Sequence, residues 1–330
     1  MRLLEILPNG DFRLTQNLLD NAIPQYAILS HRWENDEEEV TFEDMDKGID
    51  KGSAQGKAGY KKIEFCSEQA AKDGLRYFWV DSCCIKKSDS SELTESLNSM
   101  FRWYYRAEKC YVYLSDVSKR KRKRRLKNSQ DSWEQAFRAS EWFTRGWTLQ
   151  ELLAPCSVEF FSRDGERLGN RQSLEQQIYE ITGIPISALR GSPLSHFSAK
   201  QKFDWAENRK TTREEDWAYS LLGIFGIFMP IIYGEGRENA VNRLRNEIDE
   251  APKDKESKDK ESKDKELRDT QPKPFSTVPF APDHDFVDRP EILAWIRDKC
   301  AGPGTRAALV GLGGVGYVNV PCSPGARLLK

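Results

Sequence analysis

The stretch GYKKIEFCSEQAAKDGLRYFWVDSCC, residues 59–84, decides the fold. Ile63, Phe65, Cys66, Ala70 and Ala71 recur at roughly helical spacing, and Gly74 supplies a stop. The chain then enters a β-rich run over residues 75–80 and breaks into the polar tip Asp81, Ser82. A helix that feeds a buried strand is half of a crossover, and its neighbours supply the rest. Upstream, Tyr26, Ala27, Ile28 and Leu29 form a compact apolar run that ends in Ser30, His31, Arg32 and Trp33. Downstream, Ser90 or Ser91 caps a helix that spaces Leu93, Leu97, Met100, Phe101 and Tyr104 by three and four. A third strand follows from Cys110 to Leu114 and ends in Ser115 and Asp116. Strand, helix, strand, helix, strand predicts an α/β fold on a parallel, doubly wound sheet, because parallel strands need crossover connections.

Ligands of such sheets sit beyond the carboxyl ends of the strands. That edge gathers Ser30, His31, Arg32, Trp33, Asp81, Ser82, Ser115 and Asp116. Hydroxyls, carboxylates, one arginine and indoles suit a sugar, a phosphate or a nucleotide. Each residue also has a plainer use: Arg32 pairing with Glu34 or Asp36, His31 as a satisfied surface or core group, Asp81 capping a turn.

After the third strand, RGWTLQELLAP (residues 145–155) reads as a short amphipathic helix stopped by Pro155. Trp147 and Glu151 lie four apart on one face, while Leu149, Leu152 and Leu153 face the core. Two readings stand open. Glu151 and Trp147 form part of a ligand site, or Thr148 and Glu151 form a capping box with Trp147 and Leu152 as its staple. Residues 158–161 predict a fourth strand, and Asp164-Gly165 a turn. Helix-like segments follow at 174–182, 199–209 and 238–248. The apolar run 216–230, broken by Gly223 and Gly226, is too short for a bilayer and reads as core.

At 330 residues the chain has room for about two domains. Lys+Arg of 51 against Asp+Glu of 52 leaves no global pull toward nucleic acid or an anionic membrane. The N-terminus lacks the apolar core of a signal peptide, and a soluble, cytoplasmic protein without a membrane span is expected. A basic block over residues 119–127, from Lys119 to Lys127, is the one hint of nuclear import, and a solvated loop accounts for it equally well. Seven cysteines without framework spacing, including Cys83 and Cys84, read as buried thiols. With three histidines and no C-x-x-C, no metal is expected.

Residues 253–267 repeat Lys-Asp-Lys-Glu and carry no apolar face, which predicts a solvated linker or a lone charged helix. Beyond it come a helix at 289–296, a strand at 307–310 and the run GLGGVG from Gly311 to Gly316. A phosphate loop needs Lys and then Ser or Thr after its last glycine. Here Tyr317 and Val318 stand there, so a degenerate loop that holds no nucleotide is expected. Codons for Gly, Tyr and Val can spell an intron donor, which makes the tail from Tyr317 a candidate for translated intron.

The strings YAILSHRW (26–33), GYKKIEFCSEQAAKDGLRYFWVDSCCI (59–85), SMFRWYYRAEKCYVYLSD (99–116) and WFTRGWTLQELLAP (142–155) closely resemble the fungal heterokaryon incompatibility (HET) domain. DGERLGNR (164–171), REEDWAYSLLGIF (213–225) and MPIIYGEG (229–236) are similar to the segment that commonly follows it. Residues 275–316 resemble the opening of an NB-ARC-type module, cut at its phosphate loop. The resemblance implies a HET domain over 1–165, a helical extension over 166–250, a charged linker over 251–274 and a truncated NB-ARC start over 275–330. It also implies a cell-death effector of nonself recognition, an innate-immune role akin to a NOD-like receptor, and self-association through the HET domain or with a related receptor. HET domains are distantly similar to Toll/interleukin-1 receptor (TIR) domains, in which a strand ending in Ser-x-Arg opens the fold. In those domains a helix reading Trp-x-Leu-x-Glu-Leu carries the glutamate of NAD-cleaving members. Ser30-His31-Arg32 and Trp147 to Leu152 match both patterns. The implied fold is a TIR-like (flavodoxin-like) mostly parallel sheet with flanking helices, with Glu151 as catalytic residue and NAD as candidate substrate rather than resident cofactor. Trp147 or Trp33 would stack on a ring and Arg32 would hold pyrophosphate. The rival expectation is a non-catalytic adaptor, or a truncated decoy, in which Glu151 caps its helix.

Overall fold

In a computed structural model, residues 1–35, 37–46, 54–119, 131–251, 306–308 and 319–321 are described. The chain divides into two units, Met1–Pro252 and Lys253–Lys330.

The first unit is built on seven strands: β1 (Leu4–Ile6), β2 (Phe12–Leu14), β3 (Tyr26–His31), β4 (Tyr77–Trp79), β5 (Lys109–Leu114), β6 (Val158–Ser162) and β7 (Arg167–Asn170). They lie in the order β2-β1-β4-β3-β5-β6-β7. The central four, β4-β3-β5-β6, are parallel, as the strand-helix alternation predicts. The outer three are antiparallel to their neighbours, so the sheet is mixed rather than mostly parallel. β1, β2 and β7 span three or four residues each, too short to show a period in the sequence. Chain order reverses beside β3, whose neighbours are β4 on one side and β5 on the other. Such a switch point is where open α/β sheets commonly receive ligands, beyond the carboxyl ends of the strands.

The helices of this unit are α1 (Phe42–Asp46), α2 (Tyr60–Lys72), α3 (Asp81–Cys84), α4 (Ser90–Arg106), α5 (Asp131–Arg138), α6 (Thr148–Leu153) and α7 (Glu175–Thr182). After them come α8 (Ile186–Leu189), α9 (Ala199–Asp204), α10 (Asp216–Tyr219), α11 (Leu222–Phe225) and α12 (Arg237–Glu250). α2 runs where its apolar spacing places it and stops before Gly74, whose φ of 75° suits a residue without a Cβ. The cap of α4 is neither Ser90 nor Ser91. Asp89 takes that role, its carboxylate accepting from the Ser91 and Glu92 amides, as an acceptor placed one residue before the helix should. The 216–230 run is core over residues 217–222 and at Ile224 and Met229, folded into α10 and α11, while Phe228 is exposed.

Side chains alternate across the sheet, and the two faces receive different cover. Tyr111 and Phe161 meet α2, through the Tyr111 hydroxyl on Asp73 at 2.5 Å and the Phe161 ring on Phe65 at 5.0 Å. The opposite face takes α4 and α6: Trp79 packs edge-on to Trp103 and Tyr104, and Phe160 packs on Trp142. All six residues of β3 are buried, as a central parallel strand covered on both sides must be. Cys66, Cys83, Cys84 and Cys110 are buried thiols, and Cys156 is exposed. Among the described residues no helix is long and apolar enough to cross a membrane.

In the second unit β8 (Arg306–Ala308) pairs antiparallel with β9 (Asn319–Pro321). β8 overlaps the strand expected at 307–310. The linker at 253–267, the helix at 289–296, Gly311, Gly316 and Tyr317 lie outside the described residues, as does the basic block beyond Lys119.

Candidate active site

Ser30 sits one residue before the end of β3, and the period of two turns its hydroxyl toward α4 and α6. There it donates to Glu151 Oε2 at 2.5 Å and accepts from the Trp142 indole N–H at 2.9 Å. Glu151 is 5% exposed. Its carboxyl is not spent on its own helix, so the capping-box reading fails. The Thr148 hydroxyl bonds the Trp142 and Arg145 carbonyls, and α6 has no side-chain cap. Burial raises the Glu151 carboxyl to about 8, and the charge of Asp81 pushes the same way. The hydrogen bond from Ser30, the polar Tyr104 hydroxyl and the charge of Arg209 oppose the rise without reversing it.

His31, the next residue, faces the other side. Its Nε2 lies 3.8 Å from Glu39 Oε1 and 3.6 Å from Asp81 Oδ1, and neither ring nitrogen has a hydrogen-bond partner. Burial pushes the Glu39 carboxyl up, yet His31 and Lys62 outweigh it and hold the group well below the usual carboxylate range. Lys62 of α2 is buried, bonding Glu39 at 2.6 Å and the Arg32 carbonyl at 3.0 Å, and Glu39 also accepts from the Glu34 amide at 2.7 Å. This pair moors the loop that follows β3.

The sequence places Ser30 and His31 in one cleft. The structure assigns them to opposite faces, and Asp81 at the sheet edge is the group both sides sense. Trp33 is 41% exposed, donates to Asp81 Oδ2 at 2.7 Å and lies under the Lys87 ammonium, 3.3 Å from the ring centroid. Ser82 is buried with its hydroxyl unpartnered. Arg32 pairs with Glu141 rather than with Glu34, and Asp36 lies outside the described residues. Asp116 accepts from the Ser140 hydroxyl and the Glu141 amide, both at 2.8 Å, and so holds the 3-10 turn Glu141–Thr144 instead of facing the cleft. Trp147 is half-buried, and its indole is engaged by the Asp216 carboxyl.

Sequence reasoning missed Trp142, Tyr104, Glu39, Lys62 and Arg209 as parts of this neighbourhood. Trp142 and Tyr104 stand inside the quoted strings, but nothing in their spacing announces a contact 112 residues away such as Trp142 with Ser30. A groove lined by Cys156, Asn170, Arg171 and Arg190 lies at the Val158 end of β6 and shares none of these residues. Among the described residues no group of three or more His, Cys, Asp and Glu side chains is arranged to hold a metal ion.

Residues 26–129 match the family described as Heterokaryon incompatibility protein (HET). The vegetative incompatibility protein HET-E-1 of Podospora anserina is 57% identical over 248 residues, 75% of this chain and 18% of that relative. Over these residues the chain is similar to heterokaryon incompatibility proteins. The chain spans less than a fifth of the length of the curated relative it matches. No solved structure matches. The family match ends before Glu151, so that carboxyl, Trp142 and Arg209 lie beyond it.

Proposed function

We propose that this chain is a cell-death effector of nonself recognition whose TIR-like domain hydrolyses the bond between nicotinamide and ribose in NAD. The observation that carries the proposal is the Glu151 carboxyl, buried at the carboxyl edge of the parallel strands and hydrogen-bonded to Ser30. The nicotinamide of NAD leaves as a neutral base from a cationic ring, so no general acid is required. Negative charge beside the oxocarbenium-like ribose is what lowers the barrier, and a carboxylate in a dry niche supplies it. Ser30 orients that carboxylate. Trp33, already under one cation, offers a ring face, and Asp81 accepts from its indole N–H. Arg32 would have to leave Glu141 to reach a pyrophosphate.

With its ionisation near pH 8, Glu151 is largely protonated at neutral pH in the resting protein. Nicotinamide release should therefore rise as pH climbs through about 8. The test is the full chain incubated with NAD at high protein concentration, with nicotinamide followed by chromatography. Glu151→Gln should lower the rate by about 10² or more. Release that Glu151→Gln retains removes this carboxyl from the mechanism.

The same depth of burial favours a second reading, a non-catalytic adaptor that oligomerises and signals by contact. A folded, assembled sample that releases no nicotinamide at any pH between 6 and 9 decides for it.

A further inference from the structure

Arg209 follows α9, outside the residues that match the family, and its guanidinium is buried beside the start of α6. Its Nη1 donates to the Arg145 carbonyl at 2.8 Å and to the Thr148 hydroxyl at 2.9 Å, while Nε donates to its own helix at the Trp205 carbonyl, 3.2 Å away. Nη2 has no hydrogen-bond partner. The backbone next to it adds a clasp: Lys210 accepts from the Gly146 amide at 2.9 Å and donates to the Thr144 carbonyl at 2.6 Å. Gly146 is needed at this crossing, since a Cβ there would stand 2.4 Å from Thr211 Cγ2. Two hydrogen-bonding devices therefore hold the residues that lead into the helix of Glu151.

We infer that Arg209 is a positioning residue of the Glu151 site, fixing the entry of α6 and lending its positive charge to the buried carboxyl. The inference rests on the proposed role of Glu151. The titratable groups that act on that carboxyl come from four other elements of the fold. Asp81 of α3 is the like charge, Tyr104 of α4 brings a hydroxyl that donates to the Leu29 carbonyl at 3.1 Å, and the Cys110 thiol of β5 is raised by burial and by Glu151 itself. Arg209 is the cation among them. The desolvated guanidinium is itself held below its ordinary value, to about 10, and Glu151 pushes it back up. A buried cation with one unspent donor and a buried acid therefore stabilise each other's charged forms.

The test follows the Glu151 carboxyl directly in the full chain. Its protonated carbonyl band in the infrared, assigned by its loss in Glu151→Gln, is titrated from pH 5 to 10. Arg209→Gln keeps an amide donor for the Arg145 carbonyl and removes the charge. The band should then persist to a pH higher by about one unit or more. Arg209→Lys restores a cation and should bring the titration back toward that of the unsubstituted protein. A titration in folded Arg209→Gln that coincides with the unsubstituted one overturns the inference. If Arg209→Gln does not fold, Thr148→Val is read in its place: it frees Nη1 from its hydroxyl anchor and should move the band the same way by less, and an unmoved band overturns the inference. The band needs no turnover, so a chain that never releases nicotinamide sinks the enzymatic reading alone, and an unmoved titration in an active chain sinks only the role of Arg209.

Discussion

Glu151 ties its protonation to folding. In the unfolded chain it ionises near its ordinary value of 4.5, and in the folded protein near 8. Below the first value both states hold the proton. Between the two only the folded state does, so the stability that the protonated group contributes is lost as pH rises, by about 1.4 kcal/mol per unit. Above about 8 the loss is complete. Glu151→Gln, which cannot ionise, should match the unsubstituted protein near pH 4.5 and exceed it by on the order of 4 kcal/mol at pH 8.5, read from urea midpoints. A substituted chain that gains nothing at the higher pH would show a carboxyl already ionised. Across the sheet the sign is opposite. Glu39 is held below the usual carboxylate range, so its contribution is present at neutral pH and lost as the solution turns acid. Lys62→Met leaves that charge buried without its partner and should cost about 3 kcal/mol, with new protease cleavage between residues 32 and 38 as the local sign.

At the scale of elements, the packing of α11 on α4 depends on a missing side chain. A Cβ on Gly223 would fall 2.1 Å from Phe101 Cβ, well inside contact distance. Gly223→Ala should thus lower stability by about 2 kcal/mol or more, and a melting temperature unchanged within a degree would show that the two helices can part at little cost. In the sequence Gly223 reads only as a break, because the helix it touches lies more than a hundred residues earlier. The helices and parallel strands were legible wherever apolar spacing ran for two turns or a buried run ended in polar residues, as at β3, α2, α4 and β5. The outer strands were not, since three residues cannot display an alternation. Glu151 and Ser30 could each be found from local pattern, one on a helix face and one on a strand tip. The separation of Ser30 from His31 is also local, following from the period of two along β3, yet grouping all strand-tip residues in one cleft overlooked it. Trp142 and Arg209 carry no local signal at all.

For the whole molecule, residues 1–252 form one compact unit, and Arg209, from the segment after the HET-like sheet, is tied by hydrogen bonds to Arg145 and Thr148. The expected boundary at residue 165 cuts off β7, which is part of the sheet, as well as the Lys210 clasp. A chain ending at residue 252 should melt within about 2 °C of the full chain, because a small domain's melting point follows the contacts inside its own cooperative unit. One ending at 165 should lose its cooperative transition, as calorimetry would show. The Lys210 clasp also limits how such genes can be reshuffled. A recombination joint anywhere between residues 146 and 210 would pair the strands of one parent with a foreign brace from the other. Functional chimaeras should exchange the first 252 residues as a single cassette, and hybrids joined inside that span should express poorly or be inert.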